Sequence, residues 1–115
     1  MSVAFYMNVH MPQSITDQLL RRNVNVLTAI DDKMAELPDD DLLDHSTELG
    51  RLMVTFDVRL KAMAEDGQRN GRHFGGMVYA HPLRVSIGQL VRDLELIVKT
   101  TEPNVWPDAI EHLPL

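Results

Sequence analysis

Cysteine is absent from this chain. That excludes disulfides and thiolate metal sites, and it fits a cytoplasmic setting best. Long apolar runs are missing too. None approaches the ~18 residues needed to span a bilayer, so no membrane partner is expected. The first residues lack the basic-then-apolar pattern of a signal peptide. Positive charge is in short supply: 11 Lys and Arg stand against 17 Asp and Glu, a net charge of −6. That balance argues against broad electrostatic binding of nucleic acid, which needs cations to displace phosphate counterions. It leaves open a metal-dependent nuclease, whose clustered carboxylates raise the acidic count at the site itself, and it leaves room for a basic partner. No P-loop, G-x-G-x-x-G or G-x-S-x-G occurs.

What remains is the balance of an ordinary globular protein, 44% hydrophobic and 24% charged over 115 residues. That length suits one domain, residues 1–115. "VAFYM" (3–7) reads as a buried strand ended by Pro12. Ser14 is placed to cap a helix with Ile15, Leu19 and Leu20 on one face and Arg21–Arg22 near its end. "VNVLTA" (24–29) is a second strand, followed by a polar loop over 31–38. Asp39 then takes the cap of a helix that holds Asp40 and Asp41 in its first turn, turns Leu42, Leu43 and Leu49 inward and stops at Gly50. "LMVTF" (52–56) is the clearest strand. Asp57 follows it, then a helix bearing Leu60, Met63 and Ala64. "EDGQRNGRHFGG" (65–76) reads as a glycine-punctuated connection, and "MVYA" (77–80) as a fourth strand. Ser86 caps the best helix, with Ile87, Leu90, Val91, Leu94, Ile97 and Val98 on one apolar face. Three prolines break the tail, which has space for a helical turn and a last edge strand near 111–113. Strands alternating with helices predict a parallel sheet covered on both faces.

In such a sheet the residues just past the strands converge on one edge, where sites form. They are Asn8 and His10, Thr55 and Asp57, and His81 and Arg84; Asp39 is placed to join them. Two or three oxygen donors there suit Mg²⁺ or Mn²⁺. Such a metal can activate water and stabilise an in-line phosphoryl transition state. Plainer roles compete. Asp39 and Asp57 each precede a helix and suit capping. The five histidines show no H-x-x-x-H spacing and read as scattered surface residues. The methionines read as core filling. Arg59 and Lys61 are equally placed to approach a phosphate backbone or to sit exposed on a helix. A receiver-like domain also carries an Asp after its third strand. It needs an acidic pair after the first strand and a lysine after the fifth, and neither is present.

Four stretches carry a family resemblance. They are "FYMNVHMP", "LPDDDLLDHSTELGRLMVTFD" (a D-x-x-L-L helix leading to a strand ending in T-x-D), "GMVYAHPLRVSIGQLVRDLELI" and "IEHLPL". In this order and spacing, over nearly the whole chain, they resemble the small PIN-like proteins related to the Mut-seven C-terminal ribonuclease domain, the VapC-type toxins of bacterial toxin–antitoxin pairs. The resemblance implies a three-layer α/β/α PIN-like domain with a central, mainly parallel sheet of four or five strands. It implies an endoribonuclease using Mg²⁺ or Mn²⁺, an RNA substrate, a cognate antitoxin and self-association as a homodimer.

The family's metal-ligand positions fall on Asn8, Asp39 and Asp57. Thr55 would orient a ligand or water, and Arg59 and Arg84 would contact RNA phosphates, since Arg suits bidentate phosphate recognition. Relatives often carry an acid where Arg59 stands. Asn8 is the main departure: an amide offers a neutral carbonyl oxygen without a carboxylate's charge. Three accounts fit it. They are a naturally degenerate member, a weak metal site with residual activity, or an aspartate replaced so that a toxic nuclease can be expressed safely. The rival expectation is a non-catalytic PIN-fold binding protein that acts through a protein partner.

Overall fold

The structure, a computed structural model, describes residues 2–115. Along the chain it runs β1 (Phe5–Met7), α1 (Gln13–Arg21), β2 (Val26–Thr28), α2 (Asp39–Glu48), β3 (Leu52–Thr55), α3 (Val58–Asn70), β4 (Met77–Ala80), α4 (Ile87–Thr100), a 3₁₀ turn (Pro103–Val105) and β5 (Ile110–Leu113). The strands form one sheet in the order β2-β1-β3-β4-β5. Every pairing is parallel. The sheet lies between two layers of helix, so the fold is a three-layer α/β/α domain. No helix among the described residues is long and apolar enough to cross a membrane.

Side chains alternate across the pleat and feed two cores. Phe5, Met7, Val54, Val78 and Ala80 pack with Ile15 and Leu19 of α1 and Leu90, Val91, Leu94 and Ile97 of α4. Tyr6, Met53 and Met77 pack on the other face with Leu42 and Leu43 of α2 and Leu60 and Ala64 of α3. Burial on both faces explains why β1, β3 and β4 read as unbroken apolar runs.

Several helix ends differ from expectation. Pro12 and Pro38 occupy the cap positions of α1 and α2, without a side-chain hydrogen bond. Proline pre-sets the extended backbone that a helix entry needs, so Ser14 and Asp39 fall inside their helices. Leu20, Leu49 and Ile87 are exposed rather than turned inward. The polar stretch after Ala64 continues as helix to Asn70. Gly67 is buried there, where an added Cβ would stand only 3.2 Å from the Arg72 carbonyl oxygen. The helix stops at Gly71, in the left-handed conformation at φ 76°. Ser86 caps α4 as expected, its Oγ accepting from the Gln89 N–H at 3.1 Å.

Candidate functional site

The chain leaves β1 for β2 on one side, then crosses back to place β3 on the other side of β1. The carboxyl ends of β1 and β3 thus flank the point where the winding reverses, the usual crevice for a ligand in an open α/β sheet. A cavity of about 240 Å³ lies there, lined by Asn8, His10, Met11, Thr55, Phe56 and Asp57. Sequence reasoning placed Asn8, Thr55 and Asp57 together, and the structure brings them together. His10 is exposed at the rim.

The polar groups of this corner answer one another. The Asn8 N–H donates to the Val54 carbonyl at 3.0 Å and ties the end of β1 to β3. Asn8 Nδ2 donates to Thr55 Oγ1 at 2.7 Å, while Asn8 Oδ1 accepts the Val9 N–H at 2.9 Å. Thr55 Oγ1 also accepts the Asp57 N–H at 2.9 Å. Asp57 caps α3 through Oδ1, which accepts the Arg59 N–H at 2.8 Å. The Arg59 Nε stands 3.5 Å from the same oxygen, on a side chain that is 85% exposed. Capping and cavity lining are therefore combined in one carboxylate. Thr55 is fully buried and acts as the junction between the amide and the acid.

Asp39 opens α2 and does not line this cavity. Arg84 lines a different one, with Lys61, His81 and His112. The residues present do not fit a Mg²⁺ or Mn²⁺ site. Asp57 is the cavity's only carboxylate, one of its oxygens serves the helix cap, and the carbonyl oxygen of Asn8 is engaged by the backbone. Among the described residues no group of three or more acidic, histidine or cysteine side chains is arranged to hold a metal.

A second polar cluster lies under the next turn of chain. The Tyr6 hydroxyl donates to Asp32 Oδ2 at 2.8 Å, and His45 Nε2 lies 2.7 Å from the same oxygen. The rings of Tyr6 and His45 meet edge-on at 5.9 Å. Burial, then the bond to Asp32, pushes the Tyr6 hydroxyl's pKa well above the ordinary phenol value. The Tyr6 hydroxyl, then His45, holds the Asp32 carboxyl below the usual carboxylate range. The cluster pins the loop after β2 to α2. Reading the sequence missed it because Tyr6 sat in an apolar run. The available signal was that a buried tyrosine hydroxyl requires a partner.

No family model, curated protein or solved structure matches the chain. The functional reading therefore rests on the motifs and on this geometry.

Proposed function

We propose that the chain is a PIN-like endoribonuclease, the toxin of a toxin–antitoxin pair acting in the cytoplasm, in a form whose site is weakened by Asn8. The observation that carries the reading is the convergence of Asn8, Thr55 and Asp57 on one cavity at the crossover of the sheet. An aspartate in place of Asn8 would add a second carboxylate to that cavity. Thr55 supports the exchange: a hydroxyl can donate one hydrogen bond while it accepts others. It would donate to the new carboxylate and continue to accept the Asp57 N–H. Two carboxylates flanking an open cavity suit Mg²⁺ or Mn²⁺, and the metal would supply water activation. Asp39, in the first turn of α2, is not among the residues that line the cavity.

The test compares RNA cleavage and Mn²⁺-dependent thermal stability in this protein and in Asn8→Asp. The expected result is cleavage and a metal-dependent rise in Tm only in the acid variant. Absence of both from Asn8→Asp would overturn the nuclease reading.

A second reading is favoured by one observation, the mutual satisfaction of Asn8, Thr55 and Asp57. On that reading the fold is kept as a non-catalytic binding protein, and the acidic chain holds a basic partner such as an antitoxin. It predicts that Asn8→Asp binds that partner and cleaves nothing. Dimer formation, implied by the family resemblance, is open to measurement by light scattering under either reading.

A further inference from the structure

We propose that the cleft at the carboxyl ends of β4 and β5 is a phosphate-binding subsite, which holds a backbone phosphate of the RNA strand as it passes the Asn8–Asp57 cavity. The identity of the strand rests on the nuclease reading. The anion preference rests on the cleft itself.

Lys61 of α3, His81 and Arg84 of the turn after β4, and His112 of β5 line an open space of about 270 Å³. Four basic side chains from three parts of the fold meet there, in a chain whose net charge is −6. No carboxylate is among the residues lining it. None of the four makes an ion pair among the described residues, whereas His45 and His73 each sit against an aspartate. The Lys61 ammonium lies 4.7 Å over the centroid of the Tyr79 ring, which holds it in the cleft by cation–π attraction. His81 is oriented by its own turn: Nδ1 accepts the Leu83 N–H at 3.2 Å, and its carbonyl accepts the Arg84 N–H at 3.0 Å. With Nδ1 engaged by the backbone, Nε2 is the ring nitrogen that faces a ligand as a donor. Arg84 supplies a planar fork suited to a phosphate, and Lys61 a compact charge.

Register connects this cleft to the first cavity. Met7 pairs with Val54, so Asn8 follows level with Thr55; Thr55 pairs with Tyr79, and Tyr79 with His112. These residues form one row across four strands, on the face covered by α2 and α3. At ~5 Å per strand the row runs about 10 Å from Thr55 to His112. Lys61 lies one helical turn beyond Asp57, its N–H bonded to the Asp57 carbonyl. A strand lying along the row would present one phosphate to the Asn8–Asp57 cavity and a neighbouring one to the basic cleft. Lined by basic side chains without a carboxylate, the cleft suits a charged group on a longer polymer.

The test is anisotropy of a fluorescein-labelled single-stranded RNA octamer with the full chain in EDTA. It compares the protein as it stands, Lys61→Gln/Arg84→Gln, and Arg21→Gln as a control on α1. The double variant should bind about tenfold or more weakly, with a shallower dependence of affinity on salt, roughly 0.7 per lost phosphate contact in log–log slope. Arg21→Gln should bind like the parent. Equal binding by the double variant overturns the subsite, as does an equal loss in Arg21→Gln. A titration with inorganic phosphate, read on the His81 and His112 ring resonances, separates the sources. Shifts that RNA does not compete away would make the cleft a site for the free ion and overturn the proposal. The two readings fail separately. Cleavage by Asn8→Asp that ignores the double substitution removes the subsite and keeps the nuclease. Cleft-dependent binding without cleavage removes the nuclease and keeps the subsite.

Discussion

The two ends of one row of residues differ in what their polar groups face. At the β1–β3 end, Asn8, Thr55 and Asp57 bond to one another and to nearby backbone. At the β4–β5 end, Lys61, His81, Arg84 and His112 face an open cleft with no acidic partner. The same sheet edge thus carries an internally satisfied corner beside an unsatisfied basic one. A corner satisfied by its own groups stabilises the fold and has few donors left for a ligand. A corner whose Lys61 and Arg84 lack acidic partners contributes little to folding and keeps its interactions for whatever arrives.

Changes at the first corner should therefore alter stability or chemistry, and changes at the second should alter binding alone. The largest effect is expected from Asn8→Asp. RNA cleavage with Mn²⁺ should rise by about 10²-fold or more, the scale of one group stabilising transition-state charge. In the same variant, saturating Mn²⁺ at ~100 times Kd should stabilise by about 2.7 kcal/mol, read by calorimetry. The parent should show neither change.

Next is Asp57→Ala, which removes the cap of α3 and should lower stability by about 1 kcal/mol, seen in urea unfolding. In the Asn8→Asp background it should also abolish the metal response. An Asp57→Ala protein as stable as the parent would break the assignment of that carboxylate to the cap.

Tyr6→Phe should cost a similar amount, about 1 kcal/mol, for the lost part-buried hydrogen bond to Asp32. The pH dependence has a definite sign. Asp32 has a depressed folded pKa, so its contribution is present above the unfolded value near 3.8 and is lost as the pH falls through the lower folded value. Tyr6 has a raised pKa, so its contribution is present below the unfolded value near 10.0 and is lost as the pH rises beyond it. Tyr6→Phe should flatten both limbs of a plot of stability against pH.

The smallest effect on stability is expected from Arg84→Gln. As an exposed change it should shift unfolding by no more than about 0.5 kcal/mol, while RNA binding weakens. A larger shift would show that the basic corner contributes to the fold after all.

Much of the frame was legible in the sequence. Residues 77–80 and the Ser86 cap with its apolar stripe predicted β4 and α4, because burial and capping are local signals. The apolar runs at 3–7 and 52–56 announced buried strands, of which 5–7 and 52–55 form. Other features depend on distance along the chain. The level alignment of Asn8, Thr55, Tyr79 and His112 is set by parallel strands joined through helices, and no local pattern encodes that register. His112 therefore read as scattered, and His81, though expected at this edge with Arg84, was not joined to it. The glycines at 67 and 71 suggested one loop, yet the first is buried by close packing and only the second ends a helix. Asp57 was read as either cap or ligand position; the structure shows the cap and sets the same side chain on the cavity wall.

The Thr55 hydroxyl has a genetic consequence. It can bond to an amide or to an acid at position 8, so the fold places little constraint on which one stands there. Asparagine and aspartate codons differ by a single base. One point mutation can therefore exchange a neutral side chain for a charged one without rebuilding the sheet around it. The same mutation reversed can undo the change, and selection on the charge would act almost free of selection on stability.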